Sequence, residues 1–215
     1  MSFDLFANHN AGEREAIGPA AVVLRGFALT GVADVLAAID TVVRCAPPRH
    51  MITPGGHAMS AALTNCGPLG WASDRRGYRY TGIDPQSGLP WPPMPPALTA
   101  LAASAAEAAG FPHFAPDACL VNHYAPGTRM GLHQDRDEQD LDAPIVSVSL
   151  GMTATFLFGG LRRTDPSVRI RLEHGDVVVW GGPDRLRFHG VAPVRGHAHP
   201  LVGERRINLT FRKAG

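Results

Sequence analysis

From about residue 117 the chain is a succession of short strand-like runs, each closed by residues that turn the backbone. No other feature limits its fold as much. Cys119–Tyr124, Ile145–Leu150, Ala154–Phe158, Val168–Glu173, Asp176–Trp180 and Arg206–Arg212 are rich in β-branched, aromatic and aliphatic side chains. Between them lie Ala125-Pro126-Gly127, Gly159-Gly160, His174-Gly175-Asp176 and Gly181-Gly182-Pro183, residues that fix φ or tolerate left-handed backbone. Six short strands with such punctuation predict a β-sandwich or double-sheet jelly roll.

The first half reads differently. Val32, Val35, Leu36, Ile39, Val42 and Val43 repeat at helical spacing and predict a helix over 31–43, with Thr30 positioned to cap it. A second helix is predicted over 97–109, opened by Pro95 and Pro96 and closed by Gly110, with Leu98, Leu101, Ala102 and Ala105 on one face. Residues 50–96 are rich in Gly, Pro, Thr and Arg and read as hairpins and loops suited to covering a site. The fold expected is therefore α+β, mainly β, in a single domain over 1–215 whose β core spans about 115–213.

The bulk properties narrow the function classes. Hydrophobic residues make up 45% and charged residues 18%, which excludes a disordered chain. No apolar run approaches the roughly 18 residues of a membrane span. The opening MSFDLFANHNAGEREAIG lacks the basic and apolar regions of a secretory leader, so a cytoplasmic protein without membrane association is expected. Cys45, Cys66 and Cys119 form no CxxC pair and are expected as buried free thiols. With a net charge of +1, nucleic-acid binding has to come from a local patch.

Leu132-His133-Gln134-Asp135 contains an H-x-D pair, and His189 follows far downstream. Two imidazoles and one carboxylate on one face of iron(II) leave the other face open for a co-substrate and O₂. In an extended strand His133 and Asp135 point the same way, and His189 then closes the set from another strand across the barrel. The competing reading is a surface loop, since Arg136, Asp137, Glu138, Gln139 and Asp140 follow directly. The last strand alternates: Arg206, Asn208, Thr210 and Arg212 share one face, and Ile207, Leu209 and Phe211 the other. That polar face either meets water in a half-exposed strand or lines a barrel interior, where two arginines clamp carboxylates. The face of Leu120, Asn122 and Tyr124 carries the same ambiguity.

Taken together, Asn122–Gly127, Leu132–Glu138, Glu173–Val177 and Arg206–Arg212 closely resemble the bacterial AlkB proteins. These are iron(II)- and 2-oxoglutarate-dependent enzymes that remove alkyl lesions from DNA and RNA bases. Thr53–Gly56, Thr64–Gly67, Leu69–Trp71, Ile83–Gln86 and Phe158–Leu161 extend the resemblance over nearly the whole chain. It is weakest in the first twenty residues and in Val191–Glu204. The resemblance implies a double-stranded β-helix with a nucleotide-recognition lid over about 50–90. It implies His133, Asp135 and His189 as iron ligands, and Asn122, Tyr124, Arg206 and Arg212 as 2-oxoglutarate contacts with Asn208 beside them. It implies that Trp71 stacks on the lesion base, that Asp137 meets its exocyclic amine, and that Tyr78 and Arg163 contact the strand.

The reaction so implied is oxidative demethylation of bases such as 1-methyladenine and 3-methylcytosine. It consumes iron-bound 2-oxoglutarate and O₂ and releases formaldehyde, succinate and CO₂. The expected partner is single-stranded or locally opened DNA, or RNA, bound by a monomer. Three aromatics and three arginines between Trp71 and Tyr80, opposed only by Asp74, suit such a strand, although a plain hairpin with solvated arginines fits them too. Two other readings stay open: a 2-oxoglutarate-dependent hydroxylase of a small molecule or protein, and a non-catalytic cupin-like binding module.

Overall fold

The computed structural model describes residues 10–215. The start of the opening segment, on which the reading of no leader rests, lies outside the described residues. Two antiparallel sheets face each other. The larger has seven strands in the order β1 (Arg14–Gly18), β2 (Ala21–Leu24), β11 (Val177–Trp180), β8 (Ile145–Gly151), β13 (Arg206–Arg212), β6 (Ala118–Tyr124) and β3 (Ala62–Cys66). The smaller has four, in the order β10 (Val168–Leu172), β9 (Ala154–Phe158), β12 (His189–Val191) and β7 (Met130–His133). A separate hairpin pairs β4 (Gly70–Asp74) with β5 (Gly77–Thr81). The helices are α1 (Val32–Cys45) and α2 (Pro96–Ala108).

Apart from its edge strand β1, the large sheet is buried on both faces, and its strand alternation decides what each face meets. Val146, Val148, Leu150, Ile207, Leu209 and Phe211 pack with Val35, Ile39 and Val42 of α1 and Leu98, Ala102 and Ala105 of α2. Each such large side chain, once fully buried, contributes roughly 1.5–3 kcal/mol. On the opposite face, Ile145, Val178 and Trp180 meet Phe156, Phe158 and Ile170 of the small sheet. The β13 face carrying Arg206, Asn208, Thr210 and Arg212 is therefore not half-exposed: all four are buried between the sheets. Asn122 and Tyr124 share that interior.

Several local expectations are corrected. Gly31, not Thr30, caps α1, and no side chain bonds its first turn. Cys45 is exposed, whereas Cys66 and Cys119 are buried opposite one another on β3 and β6. The segment 50–90 divides, since Ala62–Cys66 forms the edge of the large sheet while 70–81 forms the free-standing hairpin. The first two strands add to the large sheet ahead of the 115–213 segment. Their signal was only the four-residue apolar run Ala21-Val22-Val23-Leu24, which suits a strand covered on both faces.

Candidate active site between the sheets

His133 ends β7 and His189 begins β12, and the two are direct partners across that antiparallel pair. The histidines therefore sit side by side in one sheet rather than across the barrel. Asp135 lies just past the end of β7 instead of within an extended strand. The close approach of β12 to β7 depends on Gly190, where a Cβ would fall 2.7 Å from the carbonyl oxygen of Met130. Nδ1 of His133 lies 2.8 Å from the carbonyl of Gly131, and Nδ1 of His189 lies 3.0 Å from that of Arg187. A carbonyl only accepts, so each Nδ1 carries the proton and each Nε2 keeps its lone pair. The Nε2 atoms stand 3.7 and 3.8 Å from the carboxylate oxygens of Asp135, and all three ligand atoms lie within 4.8 Å of one another.

Electrostatics keeps this donor set in its metal-binding form. Burial pushes the Asp135 carboxyl up, but Arg212, aided by both imidazoles, outweighs it and holds the group well below the usual carboxylate range. Arg212 donates from Nη2 (2.6 Å) and Nε (2.8 Å) to Oδ2 of Asp135. Burial, with His133 adding, brings His189 down to about 4, so its ring is neutral near pH 7.

Behind the triad, Arg206 is only 1% exposed. Its Nη2 donates to the Ser149 hydroxyl at 3.0 Å, while Nε and Nη1 are buried without a hydrogen-bond partner among the described residues. Oδ1 of Asn122 is likewise unpartnered. A buried guanidinium left with open donors costs several kcal/mol unless an anion meets it, and a carboxylate matches its planar fork. The residues thus fit a bound dicarboxylate. Asn208 is already engaged: its amide donates to Ser147 Oγ and Val148 O, and Thr210 donates to it. It braces the interior rather than offering a free contact. Tyr124 lines the same chamber, together with His133, His189, Trp180 and Arg212.

In front of the triad a cavity of about 510 Å³ opens to the surface. His133 and Asp135 form its floor, and Trp71, Tyr78, Asp137 and Arg163 line it, so the four residues expected at the substrate side do converge. Trp71 and Tyr78 are stacked, with centroids 5.5 Å apart and planes 14° apart, and Nε1 of Trp71 donates to Asp137 at 3.1 Å. Asn65 of β3 fixes the Trp71 backbone through a pair of hydrogen bonds. Arg79 is paired with Asp74, leaving Arg75 and Arg76 as the exposed arginines of the hairpin.

Sequence reasoning overlooked Glu138, which falls in the run resembling a surface loop yet is buried among Tyr80, Arg185 and Arg212. One polar residue in a solvated-looking run carries no signal of burial, because its partners come from distant strands.

A two-sheet barrel enclosing a His, Asp, His set and a buried arginine with two open donors defines the class of iron(II) oxygenases that use a keto-acid. Residues 21–212 match the family model described as the 2OG-Fe(II) oxygenase superfamily. The chain belongs to the AlkB family within that class. It is 54% identical over 212 residues to alpha-ketoglutarate-dependent dioxygenase AlkB of Escherichia coli, covering 99% of this chain and 98% of that one. A shorter match, 35% over 115 residues, reaches the tRNA demethylase abh1 of Schizosaccharomyces pombe and covers 48% of this chain and 38% of that one. The solved structure of OsALKBH1 superposes with a TM-score of 0.76 at 29% identity, over 94% of this chain and 100% of that one. The family uses iron(II), 2-oxoglutarate and O₂.

Proposed function

We propose that this chain repairs alkylated nucleic-acid bases by oxidative demethylation, acting on lesions such as 1-methyladenine and 3-methylcytosine. The observation that carries this reading is the aromatic and acidic wall of Trp71 and Asp137, which shares one cavity with His133 and Asp135. A hydroxylase of small acids has no use for that wall.

Each residue then has a task. His133, Asp135 and His189 would hold iron(II). Arg206 would take a terminal carboxylate of 2-oxoglutarate, with Asn122, Tyr124, Arg212 and Asn208 shaping the chamber around it. Bound there, the metal and keto-acid supply O₂-dependent hydroxylation of a C–H bond, with succinate and CO₂ as by-products. The hydroxylated N-methyl group leaves as formaldehyde. Trp71 offers a π-face to a methylated base, which is cationic in these lesions. Asp137 accepts a hydrogen bond from the exocyclic amine. Tyr78 and Arg163 stand at the rim, where a strand's phosphates pass. Leu120, Met130 and Phe188 make the walls apolar and exclude water from the reacting carbon.

The base has to leave its stack to reach this depth, so the partner is single-stranded or locally opened DNA, with RNA as a second polymer. The protein acts as a monomer in the cytoplasm. Among the described residues no helix is long and apolar enough to cross a membrane. The test is anaerobic reconstitution with iron(II), followed by mass spectrometry of oligonucleotides carrying the two methylated bases. Loss of 14 mass units with formaldehyde release is expected. Succinate from small acids alone, with the oligonucleotides untouched, favours the hydroxylase instead. His133→Ala is expected to abolish succinate formation, and undiminished succinate from that variant overturns the metal assignment.

A further inference from the structure

Trp71 and Tyr80 are direct partners across the β4–β5 hairpin, and each reaches one of two consecutive acidic residues. Trp71 Nε1 donates to Oδ2 of Asp137 at 3.1 Å, and the Tyr80 hydroxyl donates to Oε1 of Glu138 at 2.6 Å. The two bonds are unequal. Asp137 is exposed, so water or a base amine can replace Trp71 there. Glu138 is 7% exposed, and its carboxylate is held by Arg185 Nη2 at 3.1 Å and Arg212 Nε at 3.3 Å. Arg185 also donates from Nη1 to the carbonyl of Asp135 at 2.7 Å and from Nε to that of Ala143 at 3.0 Å. Arg212 grips the Asp135 carboxylate. Glu138 is thus part of the buried ion network that fixes both ends of Asp135. Burial pushes the Tyr80 phenol far up, so it stays protonated and donates at any working pH. A short O–H···O⁻ bond to a buried carboxylate is among the stronger kinds, and leaving it unmade strands a charge.

We infer that the Tyr80–Glu138 bond is the fixed hinge of the lid hairpin, whereas the Trp71–Asp137 bond is the breakable contact that a base exchanges on entry. Tyr80 and Glu138 are positioning residues. They set the height of Trp71 over the cavity, and they tie the lid to Asp135 through Arg185 and Arg212. The breakable half of this scheme rests on the proposed demethylase reading, and the hinge half does not.

The first measurement is hydrogen exchange on the metal-free protein. Tyr80→Phe keeps the ring and removes only the hydroxyl. It is expected to speed exchange across 70–81 roughly tenfold, the usual scale for losing one charge-assisted hydrogen bond, with β6 and β13 unchanged. Trp71→Phe removes the Nε1 donor and is expected to leave 70–81 close to wild type. In the reconstituted enzyme, Tyr80→Phe is expected to raise the ratio of succinate to formaldehyde at least threefold, because a misplaced lid lets the co-substrate turn over without the base in reach. Unchanged exchange at 70–81 in Tyr80→Phe overturns the hinge. So does equal loosening by Trp71→Phe, or an equal rise in β6 and β13, which reduces Tyr80 to a general stability contact. An unchanged succinate ratio beside loosened exchange overturns the role in positioning. If the wild-type enzyme releases no formaldehyde, the demethylase reading fails, and the exchange result still decides the hinge.

Discussion

Arg206 concentrates the tension between stability and function in one side chain. It is buried, with Nε and Nη1 unmatched among the described residues, and burial lowers its pKa from the ordinary guanidinium value. Replacing it by Met removes the buried charge while keeping most of the stem. The co-substrate-free Arg206→Met protein is expected to melt no lower than wild type. The same change is expected to weaken 2-oxoglutarate binding by at least about 30-fold, the scale of one partner lost from a buried charge pair. Calorimetric titration of 2-oxoglutarate, beside melting curves with and without it, reads both halves. A lowered melting temperature with unaltered affinity makes Arg206 a purely structural brace. Arg212 behaves oppositely: Asp135, Tyr80 and Glu138 raise its pKa against the effect of burial, so removing it strands two acidic groups.

At the scale of elements, β13 shows why alternation alone is ambiguous. Its seven residues are all buried, yet the polar set faces the chamber and the apolar set faces the helices. The pattern in sequence is identical to that of a strand with one face in water. The neighbouring β8 ends at Gly151, whose φ is +84° and whose added Cβ would sit 2.4 Å from the carbonyl oxygen of Arg205. Neither backbone can yield without breaking the Met152 N–H to Arg205 carbonyl bond at 3.0 Å. Gly151→Ala is expected to cost at least about 2 kcal/mol, measured as the shift in urea midpoint, and a change under 0.5 kcal/mol contradicts this reading. β7 and β12, of four and three residues, and the first two strands, of five and four, are too short for periodicity to reveal. Both histidines of the triad stand on two of these, β7 and β12.

For the whole molecule, acid stability is the property the buried histidines set. His174 accepts the backbone N–H of Gly151 through Nδ1 at 2.9 Å and stacks on His199 at 4.1 Å. Burial, then His199, brings its pKa to about 4. Burial, then Arg205, does the same for His123. Both are neutral in the fold, while the unfolded chain takes up protons near 6.5. Stability is therefore expected to fall as pH drops from about 6.5 towards 4 and to change little from these groups above 7. His174→Asn keeps an acceptor for Gly151 and removes the titration, so its stability curve is expected to be flatter across that window. An equally steep curve assigns the acid limb to other groups.

The sequence by itself determined the β-rich class and both helices to within a residue or two, because turn chemistry and helical spacing are local properties. Its resemblance to one family named the residues expected to share a single site. Only the tertiary structure decided which side of β13 meets water, which is neither. It also decided that His133 and His189 are neighbours in one sheet, and that Glu138 is an interior anchor rather than part of a surface loop. Burial and pairing depend on what other strands bring to the same point, and no short stretch of sequence carries that information.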